Sequence, residues 1–99
     1  MICVKLHRSY RNIFAVCDSD LIGKAFHEGI KQLDCKESFF KDKEISKEEA
    51  IKVLKAQSTE DATFNIIGPN SIDAATKAGV INPNYIQKVQ EIPFILVLL

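Results

Sequence analysis

The residues with the clearest chemical potential are basic and aromatic side chains in the first quarter of the chain. Guanidinium groups bind phosphates bidentately, and a tyrosine ring can stack on an unpaired base. The sequence therefore predicts a nucleic-acid surface whose members are Lys5, Arg8, Tyr10, Arg11 and Lys24. The alternative is an ordinary solvated turn between two strands.

The charge distribution gives this surface modest support. Residues 1–36 hold six Lys or Arg residues against four acidic residues, a net charge of +2, and the remainder carries −2. Over the whole chain, thirteen basic and thirteen acidic residues cancel. The net charge therefore gives no indication that DNA, RNA or a membrane is the partner.

A second candidate site lies at the start of a predicted alanine-rich helix. The free amides and positive dipole end of a helix can bind an anion or an RNA phosphate. The predicted anion-binding residues are Gly68, Asn70 and Ser71. One glycine outside a phosphate-loop pattern is a weak signal, so the alternative is that Asn70 or Ser71 caps its own helix.

The three cysteines raise the question of a metal or a disulfide. Cys3, Cys17 and Cys35 are an odd number without CxxC spacing, which fits neither a secreted disulfide framework nor a zinc ribbon. His7 could complete a zinc set, but it lies about 13 Å along the strand from Cys3 at roughly 3.3 Å per residue. Zinc bonds of about 2.0 to 2.3 Å cannot bridge that span. The sequence therefore predicts buried free thiols, no metal and no cofactor.

A loop bounded by glycines, residues 23–29, brings together Lys24, His27 and Glu28. Histidine titrates near neutrality and a glutamate can orient it, which is the basis of acid–base catalysis. Neither a nucleophile nor a second acid accompanies them. A loop held by Phe26 in the core explains the same residues, so no catalytic residue is predicted.

The basic residues depend on a predicted antiparallel hairpin. Residues 2–7 alternate as a half-buried strand does, and residues 13–17 are apolar and β-prone. Pairing His7 with Ile13 places Cys3 opposite Cys17. The other face then carries four hydrophobic residues, and we expect it to be the core face and the cysteine face to be less buried.

The strongest helix signal is a capping box beginning at Ser46, where the hydroxyl can accept from the Glu49 amide. An apolar stripe then predicts a helix to about Gln57. Residues 62–67 indicate a strand, and a second helix follows and ends at Gly79. Residues 30–35 are predicted to be a third strand, residues 36–44 a loop pinned by phenylalanine side chains, and residues 91–93 a bend.

The predicted fold is a single α+β domain spanning residues 1–99. A mixed, mostly antiparallel sheet of five to six strands carries two to three helices. Phe94 to Leu99 is the longest apolar run, six residues against the roughly 20 that a membrane helix needs, so no membrane contact is expected. As a terminal strand it could expose an edge that recruits a protein partner or a second copy of the chain.

Several segments resemble an archaeal family, the domain of unknown function numbered 424. The resemblance is carried by residues 1–6, 16–18, 65–68 and 78–81, and above all by Leu21-Ile22-Gly23-Lys24-Ala25-Phe26-His27-Glu28-Gly29. It implies a small archaeal cytosolic protein that accompanies the translation apparatus. It carries over no activity, cofactor or catalytic residue.

The resulting expectation is a non-enzymatic cytoplasmic protein that binds RNA or a ribonucleoprotein. The alternative is a protein-interaction module or homodimer assembled through residues 94–99.

Overall fold

The structure is a computed structural model that describes residues 1–8, 10, 12–59 and 62–97, with only the backbone of Val97. Its strands are β1 (Ile2–His7), β2 (Asn12–Asp18), β3 (Ala25–Glu28), β4 (Lys31–Asp34), β5 (Lys43–Ile45), β6 (Ala62–Ile67), β7 (Gln87–Val89) and β8 (Ile92–Val97). Its helices are α1 (Glu37–Phe40), α2 (Lys47–Ser58) and α3 (Pro69–Ala78). Short 3-10 turns span Ser19–Leu21 and Pro83–Tyr85.

Six of the strands form one mixed sheet in the order β5-β1-β2-β6-β8-β7. Only the central pair, β2 with β6, is parallel, and the remaining pairs of this sheet are antiparallel. The strands β3 and β4 form a separate two-stranded hairpin. The predicted α+β class, with a mostly antiparallel sheet and up to three helices, is confirmed.

The predicted register of the first hairpin is also confirmed. His7 pairs with Ile13, Lys5 with Ala15 and Cys3 with Cys17. Because side chains alternate along a strand, this register fixes which residues share each face of the sheet.

One face of the sheet, here called the helical face, is covered by α2 and α3. Phe14, Val16, Phe64 and Ile66 from the two central strands pack against helix residues such as Leu54. The rings of Phe14 and Phe64 meet edge to face, with centroids 6.3 Å apart. This cluster is the main hydrophobic core, and it lies on the face that the sequence predicts.

The opposite face, here called the hairpin face, is covered by α1 and the β3–β4 hairpin. Ala15 and Cys17 of β2 are fully buried there with Cys35 and Phe40. The prediction that the cysteine face would be less buried is wrong. Its cover comes from residues 24–40, where the strand predicted over residues 30–35 is confirmed as β4, but where β3 and α1 were not predicted.

The ends of α2 and α3 follow their sequence signals. The Ser46 hydroxyl accepts from the Glu49 amide at 3.1 Å, which confirms the Ser46 half of the predicted capping box of α2. Gly79 ends α3 in the left-handed region at φ 74°, where glycine is favoured over residues with a Cβ. The two helices are joined by an ion pair between Lys47 and Asp73.

Three segments differ from the sequence prediction. The loop predicted over residues 23–29 contains the strand β3, and the loop predicted over residues 36–44 contains α1 and the start of β5. The bend predicted at residues 91–93 is a tighter turn at Gln90 and Glu91, so that β8 begins at Ile92.

Candidate nucleic-acid interface

The connection between β1 and β2 presents the predicted basic and aromatic tip. Arg8 is exposed, and the Tyr10 side chain has a relative exposure of 105%. Arg11 lies outside the described residues. Because a tyrosine ring that packs on nothing loses the burial that normally stabilises it, this ring is free to stack on a partner.

Two further members of the first strand, Lys5 and His7, are held by α1. The Lys5 ammonium donates to the Ser38 carbonyl at 2.7 Å, and His7 Nε2 lies 2.7 Å from the Phe39 carbonyl oxygen. A carbonyl only accepts, so this nitrogen carries the proton. Both carbonyls belong to the last turn of a helix, where intrahelical donors run out. Lys5 therefore supports α1 as well as adding charge beside the tip.

Phe39 connects the tip to the rest of the hairpin face. Its ring stacks on the His7 imidazole with centroids 4.3 Å apart and an interplanar angle of 21°. It also meets the Phe40 ring edge to face at 5.0 Å. His7 is the last residue of β1, so this aromatic stack lies at the end of the strand from which the tip begins.

Lys24, the fifth predicted member, lies elsewhere. Its carbonyl accepts from the Cys35 amide at 2.9 Å, and Cys35 is buried beside Cys17 near the end of β2. The tip lies at the other end, next to Ile13, about 13 Å away along the strand at roughly 3.3 Å per residue. The structure therefore does not bring Lys24 together with Arg8 and Tyr10.

The hairpin face contains an open groove of about 260 Å³ between its cover and the strands β6 and β8. Asn65 and Leu96 are cross-strand partners, and both line it. Leu96 keeps 53% of its surface exposed and Asn65 is half-buried. The remaining lining residues are Gln32, Leu33, Asp34, Lys36, Phe39, Phe40 and Ile67.

Sequence reasoning missed this groove, although one signal was available. Asparagine is disfavoured in strands, yet Asn65 stands inside an otherwise apolar β-run. A polar residue in the middle of a buried strand is an indication that this point of the sheet is not fully covered.

A second cleft of about 270 Å³ lies on the helical face between the β1–β5 edge and α2. Leu6, Phe14 and Val53 are apolar parts of its lining, and charged residues of both signs surround them. It contains no member of the predicted nucleic-acid surface other than Lys5.

The predicted anion site at the start of α3 holds a carboxylate of the chain itself. Asp18 Oδ1 accepts from the Ser71 amide and hydroxyl, both at 2.7 Å, and Oδ2 accepts from the Asn70 amide at 3.1 Å. Asp18 is 1% exposed. Its negative charge is stabilised by the helix dipole and by these donors.

Gly68 belongs to the same arrangement. It has a φ of 110°, and a Cβ at this position would overlap the Asp18 carboxylate. Both the helix cap and the glycine are therefore explained by Asp18, at the end of β2. The alternative, in which the side chain of Asn70 or Ser71 caps α3 by accepting from a backbone amide, is wrong. Both residues instead donate hydrogen bonds to Asp18.

The cysteines are free thiols and all three are buried. Burial, and next the neighbouring Cys35 thiol, raise the pKa of Cys17, and burial raises that of Cys35. Both groups therefore stay protonated and unreactive at neutral pH. Among the described residues, no group of three or more His, Cys, Asp or Glu side chains is arranged to hold a metal ion.

The residues considered for acid–base chemistry have structural contacts. Glu28 Oε1 accepts from the Gln90 amide at 2.9 Å, and the Gln90 side chain donates to the His27 carbonyl at 2.8 Å. Gln90 and Glu91 have φ values of 49° and 66°, which non-glycine residues adopt only with support. These bonds therefore attach the β3–β4 hairpin to the β7–β8 turn.

Comparison with known proteins identifies the family. The model of a family described as a protein of unknown function, DUF424, matches residues 7–98. The chain belongs to this family. No curated protein matches it.

The DUF424 fold is also seen in a crystal structure of an uncharacterized conserved protein from Methanopyrus kandleri. The two superpose with a TM-score of 0.82 at 20% sequence identity, covering 97% of this chain and 89% of the other. This likeness supports the fold. Within the described part of the chain, no helix has the length and apolar character needed to span a membrane.

Proposed function

We propose that this DUF424 protein is a non-enzymatic, cytoplasmic RNA-binding protein of the translation apparatus, with its contact surface at the β1–β2 tip. The observation that carries the proposal is the fully exposed Tyr10 side chain, two residues along the chain from the exposed Arg8. An aromatic ring with nothing to pack on and a cation next to it are the two elements that single-stranded RNA requires.

The position of the tip supports the same proposal. His7 and Phe39 continue the aromatic surface onto the hairpin face, and Lys5 adds a charge beside them. Arg11, which the sequence places in the same connection, adds a second guanidinium. Lys24 is not part of this footprint, because its backbone bonds to Cys35, near the opposite end of β2 from the tip.

A salt titration of RNA binding tests the proposal. The Arg8→Glu variant should bind single-stranded RNA more weakly than the parent, and the slope of log affinity against log salt should fall because a phosphate contact is lost. The matched control is Lys52→Glu on α2, which makes the same change in net charge on the other face. Equal affinities for the two variants, or no binding by the parent at low salt, would end the proposal.

A stacking variant separates the aromatic contribution from the charge. Replacing Tyr10 with alanine should weaken RNA binding by about 1 to 3 kcal/mol while leaving the salt slope unchanged. Folding should not suffer, because the ring buries no surface in the isolated chain. An unaltered affinity would show that Tyr10 does not stack on a base of the bound RNA.

A protein-interaction role through residues 94–99 is the second candidate, and one observation favours it. Among the described residues, β7 pairs with β8 only from Ile92 to Phe94, so Ile95–Val97 lack a described strand partner on that side. Leu96 is exposed beside this edge. Deleting the segment would destroy the core, since Phe94 and Ile95 are buried. Light scattering of Leu96→Glu is the usable test, and a parent that is monomeric at high concentration would exclude a homodimer.

A further inference from the structure

We infer that the groove on the hairpin face receives one unpaired nucleobase of the bound RNA, with Asn65 contacting the edge of the base. This inference rests on the proposed RNA-binding function and adds the site at which a base, as distinct from the phosphate backbone, is held. Its basis is the lining of the groove, its charge and its connection to the tip.

The lining of the groove suits a flat, polar-edged ring. Ile67 and Leu96 provide apolar surface from the sheet, and Phe39 and Phe40 provide an aromatic wall from α1. The Asn65 side chain borders this apolar space and offers both a donor and an acceptor. Asparagine amides pair bidentately with base edges, and aromatic walls hold unstacked bases.

The size of the groove favours one ring over a larger ligand. Its volume of about 260 Å³ is below the roughly 300 to 1,000 Å³ of small-molecule pockets. Its exposed Leu96 keeps one side open to solvent, as entry of a base attached to a polynucleotide requires.

The charge of the groove favours a neutral base over a phosphate. Asp34 and Lys36 are the charged residues of the lining, and their charges cancel. A phosphate would meet a carboxylate there with only one ammonium to offset it. The two parts of the surface would therefore bind different parts of the RNA. Phosphates would bind at the basic tip, and a base would occupy the groove, which has no net charge.

The groove is connected to the end of β1 from which the tip begins. Phe39 lines the groove and stacks on His7, and His7 is followed directly by Arg8 in the sequence. The inference is that an RNA strand whose backbone contacts Arg8 places one base in the groove.

Titration of the parent protein with free nucleosides tests the groove without the RNA backbone. The probes are adenosine, guanosine, cytidine and uridine, followed through the side-chain amide signals of Asn65 and Gln57 in NMR spectra. Gln57 is a matched control, since it is a half-buried amide that lines the other cleft. At least one nucleoside should shift the Asn65 signal to saturation and leave Gln57 unmoved, and ribose 5-phosphate, which has no base, should shift neither.

The Asn65→Ala variant links the groove to RNA binding. Loss of one base contact should weaken single-stranded RNA binding about two- to tenfold without changing the salt slope, whereas Gln57→Ala should have no effect. If the alanine variant fails to fold, the nucleoside titration of the parent still decides the question.

The outcomes separate this inference from the function beneath it. RNA binding through Arg8 with no nucleoside response at Asn65 would overturn the base site and keep the RNA function. A nucleoside response without RNA binding would keep the groove as a base site and overturn the RNA function. An equal response of Asn65 and Gln57 would mean nonspecific contact and would overturn the base site.

Discussion

The two faces of the central sheet are covered to different extents. The helical face lies under two helices of 12 and 10 residues, which bury most of the central strands and leave a cleft of about 270 Å³ towards the β1–β5 edge. The hairpin face lies under one four-residue helix and two four-residue strands. This shorter cover seals Cys17 and Cys35 but leaves Asn65 and Leu96 at a groove. The difference indicates that the helical face supplies most of the stability, and we propose that the hairpin face supplies the binding surface.

The largest expected effect concerns the sealed part of the hairpin face. Because Cys17 and Cys35 are fully buried, alkylation of these thiols at pH 7.5 should require unfolding. With a stability of at least about 5 kcal/mol, that slows labelling by about a thousandfold or more relative to the unfolded chain. Mass spectrometry of alkylated protein measures it.

The pH dependence of this protection has a definite sign. Burial raises the pKa of Cys17 and Cys35, so the folded state favours the neutral thiols. The contribution of the two neutral thiols to the free energy of unfolding is complete below the ordinary thiol pKa of about 8.5. It is lost as the pH rises above that value, because the unfolded chain then ionises first. Rapid labelling of the two thiols at pH 7.5 would mean that α1 and the β3–β4 hairpin open easily. The two faces would then differ in how readily their cover opens.

The next effect concerns Leu54, which is buried in the core of the helical face. Leu54→Ala on the helical face should lower the free energy of unfolding by about 2 to 5 kcal/mol, because its side chain is fully buried. Urea denaturation measures it. A loss below 1 kcal/mol would contradict the assignment of the main core to this face.

A smaller effect is expected where the sheet joins α3. Asp18→Ala should cost about 2 kcal/mol, since it removes a helix cap and leaves the buried Ser71 hydroxyl without its acceptor. Asp20→Ala is the matched control, an exposed acid two residues away, and should change stability by no more than about 0.5 kcal/mol. Equal losses in urea denaturation would show that Asp18 does not stabilise α3.

The parts of the fold that were predictable are those in which local signals and burial agree. The β1–β2 register follows from alternation, and the bounds of α2 and α3 follow from Ser46 and Gly79. The cover of the hairpin face was predictable only at β4, which the strand predicted over residues 30–35 matches. The strand β3 has no fully buried side chain and α1 is a single turn, so neither leaves a clear local pattern. These elements are stabilised by long-range bonds, such as that between Glu28 and the Gln90 amide.

The candidate site was likewise predictable where local signals decide and not where long-range contacts decide. Exposure of Arg8 and Tyr10 follows from their place in a polar connection between two strands. The position of Lys24 depends on where the β3–β4 hairpin packs, and the capture of the α3 amides depends on Asp18, about fifty residues earlier in the chain. Neither contact leaves a local pattern.

The smallest effect is expected at the groove. Leu96→Ala should cost about 1 kcal/mol or less in stability, because about half of the side chain is already exposed. Urea denaturation alongside Leu54→Ala measures the contrast directly. A loss as large as that of Leu54→Ala would mean that the groove is part of the core.

The most direct test of the account is an NMR footprint of single-stranded RNA on the isotopically labelled protein at low salt. We predict shifts at Arg8 and Tyr10, continuing through His7 and Phe39 to Asn65, with no shifts along α2. Shifts centred on α2 and the helical face, or none at any residue, would contradict the proposal that the tip and the hairpin face form the binding surface.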